Sequence, residues 1–374
     1  MSESDSTRTE LAAAYAGIMA VAVLNIMPAL AGVLALHLGF KEQTIGRFAA
    51  CDSIGALLGT LLAAAIMRGR SLRTLTMIGL LVLAIADIVS GLSNNISWLL
   101  MARLAGSAGG GLVMGISFAI FAAIRPERGI ALWSIGQLLF GFLAIASLPQ
   151  MTAWLGWQSA FFGLALLVVP GLLLARYLPS APRTQSAAQS PGDAVGLKVS
   201  IGILGVGLFY FGQGEFWPYL EVVGLGSGIP HASVDTSLSV SAASAVLGSI
   251  LVLVVGKRFG RKAPLLLSFT LTIAAIGAIH TANEVWFRIA ISAFTFAWPV
   301  FSAYQFGLIV DHNPSARVAG LVTAANWAGL SAGPVIAGEL LTMGAGRSVQ
   351  CLSIVLDAAA LLSLLPLMRR GVLS

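Results

Sequence analysis

Long apolar stretches separated by short polar ones run from one end of this chain to the other. They cover about 11–36, 45–67, 74–92, 96–124, 129–149, 158–178, 200–222, 235–256, 263–281, 285–309, 317–339 and 349–368. A helix needs about 20 mostly apolar residues to cross the hydrocarbon of a bilayer. A helix on the surface of a soluble domain would carry polar residues every three or four positions, whereas here they collect between the stretches. The pattern predicts an all-α membrane protein with twelve transmembrane helices.

The polar stretches define the organisation. Residues 1–10 form a polar tail without the basic region or cleavage site of a signal peptide, so the first span is expected to stay in the mature protein. Residues 179–199, rich in Ser, Ala, Pro, Gly and Gln, read as a flexible linker between six-helix bundles at 11–178 and 200–374. Both tails and every second loop hold sixteen of the 21 Lys and Arg residues, among them Arg8, Arg68, Arg73, Arg128, Lys198, Arg261, Lys262 and Arg369. Positive charge stays on the cytoplasmic side, which predicts cytoplasmic termini and linker in a multi-pass protein of the inner, cytoplasmic membrane.

The two bundles repeat. At an offset of 189, Leu58-Gly59-Thr60-Leu61-Leu62 falls on Leu247-Gly248-Ser249-Ile250-Leu251, and Arg73 falls on Lys262. At 188 or 189, Asn95 and Trp98 meet Asn283 and Trp286, Pro126 meets Pro314, Arg128 meets Arg317, and Gln137 meets Asn326. A near-constant offset across four helices predicts parallel repeats, pseudo-symmetric about an axis along the membrane normal.

Composition excludes several function classes. With 57% hydrophobic and 10% charged residues, the chain is far from a soluble domain, which carries roughly a quarter charged residues. The net charge of +6 lies in the short loops, so it is a topological signal and no nucleic-acid partner is expected. Cys51 and Cys351 read as small core residues. His37, His231, His280 and His312 lack metal-ligand spacing, so neither a metal nor a membrane-embedded enzyme is expected.

Two six-helix halves joined by a cytoplasmic linker resemble the major facilitator superfamily over essentially the whole chain. Arg258-Phe259-Gly260-Arg261-Lys262 is similar to that family's basic loop, although Lys257 stands where an aspartate is usual. Arg103 with Gly106, Gly109, Gly110 and Gly111 resembles its intramembrane arginine motif. Pro126-Glu127-Arg128-Gly129 and Leu155-Gly156-Trp157-Gln158 resemble two of its loops. The resemblance implies a secondary transporter in which the halves rock around a central cavity.

A charge at mid-depth in a bilayer costs several kcal/mol, roughly 3 or more, so every intramembrane ionisable group is a functional candidate. Arg103 lies about 10 Å into its helix at 1.5 Å per residue, and Asp52 reaches the same depth. Asp87 lies at a similar level, near enough to the outer end of its helix for snorkelling to compete. Two acids beside one arginine suit proton exchange, since arginine stays charged while an aspartate takes up or releases a proton. A static ion pair fixing helix packing is the competing reading. Glu215 sits in Gly212-Gln213-Gly214-Glu215-Phe216-Trp217-Pro218-Tyr219, where two glycines and a proline weaken the helix beside a carboxylate. It is a candidate for both proton and substrate binding, against a hydrated position near the outer surface.

Asn25, Gln137, Gln213, Trp217, Trp298, Tyr304, Gln305, Asn326 and Trp327 complete the substrate candidates, as amides and aromatic rings near mid-membrane. Each also suits a plain helix contact. Asp357 is central in the last helix, without an evident partner, whereas Glu221 and Glu339 read as solvated. No nucleotide-binding loop is present, so ATP is not expected to drive the protein directly. The residues predict a monomeric proton-coupled transporter of small organic solutes, without a cofactor, that exports a cationic or neutral amphiphile. Uptake of a small organic acid or sugar, and a non-transporting receptor on the same fold, are the competing readings.

Overall fold

The computed structural model describes residues 3–67, 69–124, 126–180, 195–256, 258–313, 316–344 and 346–368. Most of the expected linker, 181–194, lies outside them. Helices joined by short turns make up the described residues. In chain order the helices are α1 (Glu3–Ala20), α2 (Ala22–Leu38), α3 (Glu42–Ile66), α4 (Leu72–Leu92), α5 (Ile96–Ile124), α6 (Pro126–Leu155), α7 (Ser159–Leu174), α8 (Leu197–Phe216), α9 (Leu220–Gly226), α10 (His231–Val255), α11 (Lys262–Ala278), α12 (Glu284–His312), α13 (Ala316–Thr342) and α14 (Gly346–Met368).

Two pairs are continuous spans with an internal break. α1 and α2 together cover Asp5–Leu38, and α8 runs through a 3₁₀ turn, Trp217–Tyr219, into α9 to cover Leu197–Gly226. Pro218 accounts for the second break, because its ring has no N–H to donate and collides with the preceding turn of an α-helix. Counted as spans, the fourteen helices are the twelve expected. Ten of them are long and apolar enough by themselves to cross a membrane, and α11 is a shorter apolar helix. This is a multi-pass membrane protein. Leu58, Leu61, Leu166, Leu247, Leu267 and Leu362 lie on the outside, as expected where the surrounding solvent is lipid.

The chain divides into two compact units, Met1–Gly39 with Cys51–Ala188, and Phe40–Ala50 with Gln189–Ser374. In the first, Leu72, Leu75, Leu112, Ile116 and Phe121 build one core cluster, and Met19, Leu80, Leu83 and Val113 another. In the second, Val206, Phe209, Phe301, Ile309 and Leu364 are the centre. Cys351, expected inside, is exposed.

The repeated residues have repeated jobs. Asn95 Oδ1 accepts from the backbone of Ser97 (2.9 Å) and Trp98 (3.3 Å), and Asn283 Oδ1 accepts from Val285 (3.0 Å) and Trp286 (3.1 Å). Each asparagine thus satisfies N–H groups that the first turn of α5 or α12 leaves without an intrahelical partner. Gly59 lies where a Cβ would fall 2.0 Å from the Ala108 carbonyl oxygen of α5, and Gly248 where one would fall 2.3 Å from the Phe296 carbonyl oxygen of α12. The crossings α3 on α5 and α10 on α12 therefore need glycine at matching positions.

Candidate functional site

The same close packing assembles a charged cluster in the first unit. A Cβ on Gly55 would lie 2.4 Å from the Leu104 carbonyl oxygen, and one on Gly109 would lie 2.5 Å from that of Gly79. Side chains this small bring α3 and α4 against opposite sides of α5. Arg103 and Ser107 are four residues apart on α5 and so share a face. Arg103 donates through Nε (3.2 Å) and Nη2 (2.7 Å) to Asp52 Oδ1, and through Nη1 to Asp87 Oδ1 at 2.5 Å. Nη2 also donates to Ser107 Oγ at 3.2 Å, and the Ser107 hydroxyl donates to Asp52 Oδ1. Every nitrogen of the guanidinium is engaged.

The side chains of Arg103, Asp52 and Asp87 are 1%, 7% and 2% exposed. Asp87 thus turns inward to Arg103 rather than snorkelling outward. Asp52 accepts three hydrogen bonds on one oxygen, two from Arg103 and one from Ser107. Two carboxylates and one guanidinium carry one net negative charge, and a single added proton makes the cluster neutral. Ser107, which ties Asp52 to α5, is the member that sequence reasoning missed. Its place one turn after Arg103 was the available signal.

In the second unit the three matching positions are uncharged, and the nearest charged contact between α10 and α12 among the described residues is Arg288 Nε donating to Ser237 Oγ at 3.3 Å, one turn away. At offsets of 189 and 188, Asp52 corresponds to Ser241, Arg103 to Ile291 and Ser107 to Thr295. There Thr295 Oγ donates to the Ser241 backbone carbonyl at 2.6 Å, and all three residues are buried.

The remaining candidates fall into several environments. In the second unit, Trp298 meets the rings of Trp217 (5.8 Å), Tyr210 (6.3 Å) and Phe294 (6.2 Å), all edge-on. Gln213 and Gln305 are buried with both amide atoms unpaired among the described residues, as are Asn326 Oδ1 and Trp327 Nε1. In the first unit Asn25 Nδ2 is buried and unpaired in the same sense, whereas Gln137 is half-buried. Tyr304 Oη donates to the Gly256 carbonyl at 2.8 Å, which ties α12 to the end of α10. Glu215 is buried, and the Ser353 hydroxyl of α14 is bonded to its Oε2. Its hydrated alternative therefore does not hold.

Two further contacts escaped the sequence. Arg261, in the basic loop, donates from Nε (2.6 Å) and Nη2 (2.9 Å) to Asp311 in the last turn of α12. This fork-shaped pair is the strong form of an arginine contact. Glu221, expected to be solvated, is buried and lies 3.6 Å from His231 Nε2, while His231 Nδ1 lies 3.2 Å from Asp235. These three residues are the one group of His, Cys, Asp and Glu among the described residues close enough to hold a metal ion. The two ring nitrogens face different carboxylates, so His231 bridges α9 and α10.

Comparison with known proteins agrees with this architecture. The family model described as Major Facilitator Superfamily matches residues 12–334. A search of curated protein sequences finds no match. Among solved structures, the nucleoside transporter NupG, crystallised as a mutant, is 15% identical with a TM-score of 0.73, over 96% of this chain and 99% of that one. A bacterial homologue of human drug peptide transporters is 13% identical with a TM-score of 0.73, over 98% and 99%. A bacterial homologue of the human lysosomal transporter Spinster, described as inward-facing and unoccupied, is 15% identical with a TM-score of 0.64, over 98% and 96%. At such identities the likeness establishes the fold alone, and the family model carries the assignment. This chain of twelve helical spans, a transporter and not an enzyme, belongs to the Major Facilitator Superfamily.

Proposed function

We propose that the protein is a proton-coupled secondary transporter in which the Asp52–Arg103–Asp87 cluster takes up and releases the coupling proton. The observation that carries this reading is the contrast between the halves. Ser241, Ile291 and Thr295, at the positions of Asp52, Arg103 and Ser107, are neutral and joined by one hydrogen bond, while Arg288 and Glu284 of α12 meet Ser237 and Ser233 of α10 one and two turns away, so this level of the crossing holds without an ion cluster. A buried ion pair is a weak source of stability, because the desolvation of its charges offsets most of their attraction. A cluster kept in one half for packing alone would be a poor use of three buried charges. One proton on Asp52 neutralises the group and frees Arg103 to turn wholly to Asp87.

The direction and substrate are inferred from the other buried residues of the two units. The described interior holds Asp52, Asp87, Glu215 and Asp357 against a single buried arginine, which favours a cationic or neutral amphiphile over an anion. The half-buried rings of Trp298 and Tyr210, backed by Trp217 and Phe294, offer faces and edges on which such a solute can lie. Entry of protons down their gradient then drives export. The unpaired amides of Gln213, Gln305 and Asn326 suit a solute with polar groups of its own. Uptake of an organic anion gains no support, since each nitrogen of Arg103 is already engaged by a carboxylate. The charge bias of the loops supports cytoplasmic termini in the inner membrane.

The test is a panel of solutes added to proteoliposomes that enclose a pH-sensitive dye. Cationic and neutral amphiphiles are expected to evoke a proton flux opposite to their own movement. A response confined to organic acids, moving with protons, would replace export by symport. Solute movement without any proton flux would remove proton coupling.

A further inference from the structure

The Glu215 carboxyl has a neighbour that the coupling cluster does not involve. Glu215, Ser353 and Asp357 are 1%, 0% and 0% exposed, at the contact of α8 with α14. Ser353 and Asp357 are four residues apart and share one face of α14. Ser353 Oγ is bonded to Glu215 Oε2 and lies 3.2 Å from the Gly212 carbonyl oxygen. One turn along α14, Asp357 Oδ1 comes within 3.1 Å of where a Cβ on Gly212 would be, so a glycine there admits the second acid. Both oxygens of Asp357 and Oε1 of Glu215 lack a hydrogen-bond partner among the described residues. No Lys, Arg or His among those residues pairs with either acid. The charged positions of α12 and α13, namely Glu284, Arg288, Asp311, His312, Arg317 and Glu339, fall in the first two turns or the last turn of those helices, and Arg347 lies at the start of α14.

Counting hydrogens favours one species. A serine hydroxyl has one proton to donate. Ser353 has two oxygens within bonding distance, Gly212 O and Glu215 Oε2, and a carbonyl and a carboxylate can only accept. Both contacts are satisfied when Glu215 is a carboxylic acid that donates to Ser353 Oγ while Ser353 donates to Gly212 O. Asp52 is the opposite case, with three donors directed at it. The fold does not require the acid pair, for at the offset of 189 the first half has Ile26, Leu164 and Val168, which are apolar and buried.

We propose that Glu215, Ser353 and Asp357 form a second proton-binding site, contained in the second unit and distinct from the Asp52–Arg103–Asp87 cluster. Its ligand is a proton carried on Glu215 Oε2 and passed to water or substrate when the α8–α14 contact opens. Asp357 is a second buried acid with no cation beside it among the described residues, and the two carboxyls oppose each other's ionisation. Each half then has its own acid site, one built with a cation and one without. This site does not depend on the coupling proposed at Asp52.

Infrared difference spectroscopy on the purified full-length protein tests it without a substrate. The Glu215→Gln minus wild-type spectrum at neutral pH is expected to show loss of a protonated carboxyl C=O band. Loss of ionised carboxylate bands instead would overturn the assignment. Ser353→Ala, which keeps the acid but removes its acceptor, is expected to shift the same band and provides the reading should Glu215→Gln fail to fold. Asp357→Asn is expected to lower the pH at which the band fades, and an unchanged midpoint would remove Asp357 from the site. Asp52→Asn should leave the Glu215 band in place, so failure of one site is distinguishable from failure of the other. Replacing choline chloride with NaCl should not alter the band, whereas its loss in Na⁺ would make the ligand a metal cation and contradict the proposal.

Discussion

At the scale of single residues, the charge arithmetic of the first unit separates the two aspartates. Asp52 shares one oxygen among Nε and Nη2 of Arg103 and the Ser107 hydroxyl, whereas Asp87 holds Nη1 alone. Asp52 is also the more accessible carboxyl, 7% exposed against 2%. In the coupling proposed above the proton arrives on Asp52, with Asp87 keeping the guanidinium compensated when it does. An Asp52→Asn side chain keeps the size and one oxygen acceptor, so it copies the protonated state permanently. Such a variant should fold and should lose only what depends on cycling between charge states. Arg103 and Asp52 were legible in the sequence because any charge at that depth calls for a partner. The pairing of Glu215 with Ser353 was not, because it depends on which faces of α8 and α14 meet, and apolar helices without an amphipathic stripe do not declare their faces.

At the scale of helices, glycine positions set how closely the rods approach. A Cβ on Gly333 would lie 2.3 Å from the Phe211 carbonyl oxygen, and one on Gly329 would lie 2.3 Å from that of Gly207, both across the α13–α8 contact. The obstructing atoms are backbone, which cannot rotate away. Gly333→Ala should therefore destabilise the protein by about 1–3 kcal/mol, the usual cost of overpacking. Gly277→Ala, at a position with nothing within 4 Å of the added carbon, should be near neutral or slightly stabilising. Thermal unfolding in detergent compares them, and equal melting temperatures would contradict the packing account. The spans themselves were legible, since apolar runs of this length have one solution in a bilayer. The break after Phe216 was legible from Pro218, whereas the one at Val21 carried no comparable signal. The Arg261–Asp311 pair was hidden because it joins a loop to a helix end some fifty residues away.

At the scale of the whole molecule, the repeat gives two units of one design with different interiors, an ion cluster in the first and an acid pair in the second. The repeat was legible from Gly59 and Gly248, and from Asn95 and Asn283. Its meaning came from the structure, where each pair closes the same crossing or caps the same helix. Orientation in the membrane rests on loop charge and is open to a direct check. In a variant without Cys51 and Cys351, a cysteine at Ser180 should be labelled from the cytoplasmic side and one at Ser227 from outside. Labelling of both from one side would refute the assigned topology.

Proton coupling through Asp52 is the central claim, and the most direct measurement compares two transport modes in one set of proteoliposomes. A solute identified from the panel is followed first under an imposed pH gradient, then as counterflow exchange with no gradient. The account predicts that Asp52→Asn abolishes gradient-driven accumulation while counterflow continues near the wild-type rate. Gradient-driven accumulation at the wild-type level in Asp52→Asn would contradict it.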